Sequence, residues 1–331
     1  MGARRIWSET VPYPTLMERR TLHLLRRFSI HLLVGVRPWD VPVVADLSRA
    51  CLDEGVALGL WPMLADADGR WVNVQNASKF GAFVEQLLEA LDPRDLAPKE
   101  IVFDLEPSML VARAILDRRE SAAGVATMFR AAGETHSFDE GQRTLARSTK
   151  ALVDRGIACS AALVPLVLLD TPQGAPWQTL LGTPVDEPRW DRVSVMLYTS
   201  MLEGWSKGTI RRRHALEILE KASHATRTRF EARGGVSLGA VGTGAFGNEP
   251  VYRGPCELAE DVGSTLASGI TDLTLLDLGG VLARPPAESW LAALVETEAI
   301  EAPSRNALRL RAANSLEKLG TIGLSRLLLR R

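Results

Sequence analysis

Eight short apolar or β-branched runs alternate along this chain with amphipathic helical stretches. That alternation is the pattern of parallel βα units: a strand covered on both faces reads as a continuous apolar run, and its covering helix as a stripe. The runs are Arg4–Ser8, Ser29–Val36, Val56–Leu64, Glu100–Leu105, Ile157–Val164, Val193–Tyr198, Val236–Val241 and Thr271–Asp277, the first carrying the weakest signal. Helical stretches precede them with suitable stops. Thr15–Phe28 sets Leu16, Leu22 and Leu25 at helical spacing, and Val41–Glu54 runs into Gly55, a helix-ending residue. Asn76–Leu91 ends before Pro93, Thr209–Arg233 at Gly234, and Glu257–Ser268 at Gly269. Ser137 and Glu140 form a capping box opening a helix that ends at Gly156. Eight strands each leading into a helix close a barrel more naturally than an open sheet, and no GxGxxG follows any of them. The spacing predicts a (β/α)8 TIM barrel over residues 1–302. Roughly fifty residues join the fourth and fifth strands, against a few tens in an ordinary unit, which predicts an extra helical insertion there.

Past Pro303 the composition changes. Residues 304–331 carry seven Arg and Lys and one acid, Glu317, with Leu308, Ala312, Leu316, Leu319 and Leu327 at roughly helical spacing. This basic C-terminal tail reads as an amphipathic helix for peripheral contact with an anionic membrane surface or a protein partner. The favoured reading is instead a terminal helix packed on the barrel or partly disordered, because Gly320 and Gly323 weaken the helix. The net charge of −1 gives no global field for nucleic acid. Cys51, Cys159 and Cys256 are widely spaced and odd in number, so reduced, buried thiols are expected. Met1–Trp7 has no apolar signal core and no run is long enough to span a bilayer; a cytoplasmic chain is expected as written, or an exported one if a leader has been removed.

In a barrel of this kind, groups at the C-terminal strand ends face the active site, while earlier residues fill the core. If Glu106 points inward, alternation turns Asp104 and Val102 inward too, and Phe103 and Leu105 toward the helices. Two carboxylates on one wall raise at least one pKa, and a carboxylic acid kept neutral is what general-acid chemistry needs. The plainer alternative is a structural pair tied to Arg or backbone donors. On the sixth strand Met196 and Tyr198 face the lumen together. Tyr198 can donate to an oxyanion or a substrate amide, or merely cap the core. Trp39, Trp61, Trp71, Trp177 and Trp205 all fall near strand ends, where aromatic faces suit sugar rings. Asp40, Asp66, Asp170 and Asp277 are further mouth candidates, mostly expected as loop caps or Arg partners. Of five histidines only His31 lies on a strand, which argues against a His-rich metal site, and no cofactor is expected. The glycine-rich stretch from Gly239 to Gly247 suits either a phosphate cradle or a flexible rim.

These residues resemble the family 18 glycoside hydrolases, the chitinase and endo-N-acetylglucosaminidase barrels. That family ends strand four with DxxDxDxE and strand six with Met-x-Tyr-Asp. The stretch KEIVFDLE, residues 99–106, keeps the final D-x-E, with Lys99 and Val102 where the first two aspartates stand. Met196 and Tyr198 match, and Thr199 replaces the aspartate that follows. The family's strand-eight tryptophan has no counterpart near Leu275–Asp277. The resemblance implies Glu106 as general acid and Asp104 as the carboxylate assisting the substrate's N-acetyl group. Tyr198 completes the catalytic set, and Trp39, Trp61, Met196 and Asp277 the substrate-binding set. A double-displacement glycosidase needs a second carboxylate about 5 Å from the acid. The seventh strand ends Ala240-Val241-Gly242-Thr243 without one, and Glu249 stands well out in the next loop. Nucleophilic attack by the substrate's own amide avoids that requirement. The expected function is therefore substrate-assisted, retaining hydrolysis of N-acetylhexosamine-containing glycans. Two other readings stay open: an inactive barrel that binds a glycan or a protein, and a metal-assisted enzyme holding Mg²⁺ on Asp104, Glu106 and Asp277.

Overall fold

The computed structural model describes residues 2–108, 135–170 and 177–300. Eight parallel strands close a barrel in chain order: β1 (Arg4–Ser8), β2 (His31–Val36), β3 (Leu58–Pro62), β4 (Glu100–Leu105), β5 (Ala158–Leu163), β6 (Arg192–Leu197), β7 (Gly234–Gly239) and β8 (Asp272–Leu276). β1 pairs with β8 through Arg4–Leu273, Arg5–Thr274 and Ile6–Leu275, so no edge remains. Helices join the strands, which makes this a (β/α)8 barrel, and no helix among the described residues is long and apolar enough to cross a membrane.

Sequence and structure agree on every strand and differ at some boundaries. β1 and β4 keep the expected limits, whereas β7 begins two residues early. Gly234 has extended backbone (φ −73°, ψ 129°) and opens the strand, so the preceding helix Arg212–Phe230 ends before it. Gly55 does end its helix, at φ 71° in the left-handed region that an L side chain resists. The expected helix Thr15–Phe28 is two, Tyr13–Leu16 and Arg19–Arg27. The helix expected to open at Ser137 is already formed at Thr135. The expected insertion helix and the basic tail lie outside the described residues. Cys51 and Cys159 are buried, and burial pushes both thiols up to about 12. Cys256 is exposed, contrary to expectation, because it sits in the first turn of the surface helix Pro255–Ala267.

Alternation along the strands divides the core in two. Ile101, Phe103 and Leu105 pack with the helices, Phe103 meeting Phe80 at 5.0 Å and Trp190 at 5.2 Å between ring centroids. Val102 joins a lumen cluster of Trp7, Leu33, Trp61, Met63 and Ala162, with Met196 and Tyr198 packed against it. Trp7 and Trp61 fill the middle of the lumen, their rings 4.8 Å apart and tilted by 60°. Below them the lumen is polar. Arg5 binds Asp272 at 2.7 Å and lies 3.8 Å from Glu100, which also accepts from Ser160 and stands 3.5 Å from His31. The floor of the mouth is thus two packed indoles resting on an ionic plug.

Candidate active site at the barrel mouth

Asp104 is the last inward residue of β4 and is 3% exposed. Its carbonyl accepts from Val72 N at 3.1 Å and from Glu106 N at 3.1 Å, the second closing a tight turn that carries Glu106 off the strand. Glu106 is consequently only half-buried and keeps an open side. The loop after β3 is built to meet this strand end. Val72 bridges to Leu105, Asn76 Oδ1 accepts from Asn73 N at 2.9 Å, and Asn76 Nδ2 donates to Trp71 O at 2.8 Å. That turn delivers Arg70 to the mouth in the left-handed region, at φ 53°.

Charge is unevenly matched here. Arg70 holds Asp66 through two hydrogen bonds, at 2.8 and 2.9 Å, and reaches Glu9 at 3.0 Å. Arg37 also binds Asp66, at 3.2 Å. Neither arginine is bonded to Asp104 or Glu106. Burial pushes Asp104 well above the usual carboxylate range, and the Glu106 and Glu9 carboxylates push the same way. Burial and then Glu9 raise Glu106 to about 8, against a weaker pull from Arg70. Both members of the pair are raised, in line with the expectation of at least one, so the pair favours holding a proton at neutral pH. The Trp61 indole N–H lies on the side of Asp104 and favours its anion, yet it stops short of a well-formed bond. Asp104 Oδ1 and Trp61 Nε1 are both buried without a partner. Tyr198 faces these acids, and burial followed by their negative charge raises its phenol well above its usual value.

Other expected site residues take varied positions. Met196 lies in the lumen on the same face of β6 as Tyr198. Trp39 is 64% exposed on the rim beneath the Arg37 guanidinium, 5.7 Å from ring centre to charge. Trp61 is 4% exposed and packed on Trp7, so it forms floor rather than platform. Trp71 is buried against Phe246, while Trp205 is 36% exposed. Asp277 is engaged as a helix cap, taking the Gly280 N–H at 2.9 Å and the Gly279 N–H at 3.2 Å. Asp40 accepts from Arg37 N, three residues before it, and Asp170 from Trp177 N, so both are held by backbone donors. The glycine-rich stretch after β7 is no phosphate cradle: a Cβ on Gly242 would sit 2.5 Å from Asp277 Oδ1, and one on Gly244 3.2 Å from Glu249 Oε1. Both glycines make room for carboxylates, which repel a phosphate.

Two mouth residues escaped the sequence reading, Glu9 and Arg70, and a third, Glu249, was expected elsewhere. Glu9 follows Arg5 and Trp7 on the inward face of β1, so extending that strand's alternation would have found it. Arg70 is set by a loop turn that leaves no periodic signal. Glu249, expected well out in its loop, folds back against the barrel and is 5% exposed. Among the described residues, no group of three His, Cys, Asp or Glu side chains is placed to hold a metal ion. With Asp277 tied up as a cap, the Mg²⁺ reading gains no geometric support.

No protein-family model matches the chain, and no curated protein sequence matches it. Solved structures do match. The glycoside hydrolase domain of PgaB (BpsB) from Bordetella bronchiseptica superposes with a TM-score of 0.53 at 12% identity, over 91% of this chain and 100% of that one. A GH18 chitinase from Pseudoalteromonas aurantia gives 0.50 at 10% identity, over 89% and 100% of the two chains. A GH5-4 broad-specificity endoglucanase from Clostridium longisporum gives 0.50 at 11%, over 87% and 86%. At such identities the likeness is one of fold: this chain is built on a barrel like those of glycoside hydrolases.

Proposed function

We propose that this barrel is a glycosidase that cleaves N-acetylhexosamine-containing glycans with the help of the substrate's own acetamido group. One observation carries the reading: at the end of β4 the half-buried Glu106 stands two residues beyond Asp104, a buried carboxyl whose Oδ1 has no hydrogen-bond partner, and burial biases Glu106 toward keeping its proton. Glu106 gives that proton to the glycosidic oxygen as the bond to the anomeric carbon breaks. The acetamido carbonyl oxygen attacks that carbon, forming a cyclised intermediate. Water then opens the ring and returns a proton to Glu106. Asp104 Oδ1, a buried acceptor without a partner, suits the amide N–H that must be oriented and whose growing positive charge must be balanced. The Tyr198 phenol, kept protonated, donates to the carbonyl, and Trp39 stacks on the sugar. Likeness of fold to carbohydrate hydrolases is consistent with this reading and is not its basis.

Glu106→Gln should lower turnover of a chitobiose-type aryl glycoside by about 10²- to 10⁴-fold while leaving binding largely intact. Asp104→Asn should be nearly as harmful. A thiazoline mimic of the cyclised intermediate should bind more tightly than the plain sugar. If the purified protein hydrolyses no N-acetylhexosaminide and shows no preference for the thiazoline, the enzyme reading fails. One observation favours the second reading, a glycan-binding barrel without activity. Val102, where the resembled family has an aspartate, packs in the apolar lumen, so Asp104 has no carboxyl partner beneath it. Glycan binding without turnover, lost in Trp39→Ala, is what that reading expects.

A further inference from the structure

We propose that Asp261, in the helix layer behind the barrel wall, positions Tyr198 through Thr199, a role that rests on the reading of Tyr198 as donor to the substrate's carbonyl. Tyr198 lies one residue past the last β6–β7 pair, Leu197 with Leu238. It caps the helix Thr199–Trp205 without a side-chain bond. Burial and the negative charge of its neighbours act on its phenol, and no hydrogen bond does. Its ring is seated on Gly239, where a Cβ would come within 3.1 Å of the ring Cδ1. The direction of the phenol is thus left to the two residues that follow. Both are buried, and both of their hydroxyls are engaged. Ser200 Oγ accepts from Ala240 N at 2.8 Å and donates to Pro250 O at 2.7 Å. Thr199 Oγ1 donates to Asp261 Oδ2 at 2.5 Å and accepts from the Arg212 guanidinium at 2.9 Å.

Asp261 is a fixed anchor. It is fully buried on the helix Pro255–Ala267 and takes three donors. Thr199 and the Tyr252 phenol, the latter at 2.5 Å, share its Oδ2, and Arg212 Nη2 meets its Oδ1 at 2.7 Å. Arg212, from the helix Arg212–Phe230, is itself held by Glu260 at 2.9 Å and by the Glu257 carbonyl at 2.6 Å. A carboxylate whose two oxygens are committed to a cation and two hydroxyls has little freedom to move. Thr199 is thereby tied to two helices that do not line the mouth. A β-branched side chain bonded in this way keeps one χ1, and with it the backbone that joins it to Tyr198. Misplacing a group that meets substrate by about 1 Å can cost about 10²-fold in rate. Asp261 therefore bears on the chemistry although it touches no substrate.

The chain has three tyrosines, Tyr13, Tyr198 and Tyr252, so ring-labelled tyrosine gives three carbon resonances in the NMR spectrum of the purified full chain. Thr199→Val removes the hydroxyl and keeps the shape. It should shift or broaden the Tyr198 resonance and leave that of Tyr13 unmoved, while Thr199→Ser should keep the native position. Asp261→Asn should move Tyr198 in the same way, and the two changes together should add little. Thr199→Ala serves if Thr199→Val does not fold. Tyr252→Phe is the control for structure alone: it strips the same carboxyl oxygen of one donor, spares the bond to Thr199 and should leave Tyr198 in place. A Tyr198 resonance that stays fixed in the Thr199 or Asp261 variants, or moves as far in Tyr252→Phe, overturns the proposal. Turnover of a chitobiose-type aryl glycoside gives a second reading. Thr199→Val should lower kcat about tenfold and keep KM within about twofold. In a Tyr198→Phe background the same substitution should cost less than about twofold, because no phenol remains to be placed. Equal losses in both backgrounds overturn the positioning role and leave the glycosidase reading standing. If the wild type turns over no N-acetylhexosaminide, the glycosidase reading falls, and the tyrosine resonances still decide whether Asp261 and Thr199 place the ring.

Discussion

The two ends of the barrel lumen both hold buried acids and treat them in opposite ways. At the N-terminal end Glu100 and Asp272 face Arg5, with Arg192 3.6 Å from Asp272 and His31 3.5 Å from Glu100. At the mouth Glu9, Asp104, Glu106, Glu249 and Asp277 share a single bonded arginine, Arg70. Acids that meet cations tie strands together. Asp104 and Glu106, with no bonded cation, are pushed toward the protonated form, and a proton kept there is available to be given away. Barrels of this architecture place chemistry at the C-terminal end and stability at the other. Here the division is written in how charge is matched.

The largest expected effect comes from unmatching the paired end. Arg5→Met leaves Glu100, 3% exposed, and Asp272 without their shared cation. Loss of one partner from a buried ionic cluster costs about 3–5 kcal/mol, read by chemical denaturation at neutral pH. Stripped of Arg5, the acids rise in pKa, so the folded variant binds more protons than the unfolded chain. Its deficit should therefore shrink as pH falls toward about 4–5. A loss below about 1 kcal/mol at every pH would mean that the plug is not the tie described here.

The mouth should answer with the opposite sign. Glu106 is raised from its ordinary value to about 8, so its contribution to stability is present at low pH and is lost as pH rises through 8. Glu106→Gln removes that loss. The variant should gain about 1–2 kcal/mol over the wild type at pH near 8, and little near pH 4. Thermal denaturation across pH reads the difference. If the variant is less stable at every pH, Glu106 is a structural carboxyl and the contrast between the two ends disappears. The basic limb of the wild-type kcat/KM profile should fall near the same pH, since both report one proton.

Much of this contrast was legible in the sequence. Alternation on β4 assigned Val102 and Asp104 to the lumen and Phe103 and Leu105 to the helices, because side chains on a strand leave no third choice. The same rule set Met196 and Tyr198 inward. It failed where position depends on pairing between segments distant in sequence. Arg70 owes its place to a loop pinned by Asn73 and Asn76, and Glu249 to a loop that turns back on Phe246 N. Trp61 shows the other limit: a strand end said it was near the mouth, and only packing on Trp7 says it is floor.

That last point decides which tryptophan can probe the mouth without disturbing what lies below it. Trp61 is part of the lumen core, so removing its side chain opens a cavity and confounds binding with stability. Trp39 stands on the rim, 64% exposed, in contact with the Arg37 guanidinium that faces Asp66. Trp39→Ala removes a largely solvated ring and an exposed cation–π contact, so stability should change by no more than about 0.5–1 kcal/mol. If a sugar stacks there, affinity for a chitobiose-type ligand should fall by roughly tenfold, comparable with loss of one aromatic contact. The melting temperature and the binding isotherm must therefore separate: the first nearly still, the second moved. A variant that loses stability and keeps its affinity would put Trp39 with the lower lumen, as structure, and leave the mouth to its carboxylates alone.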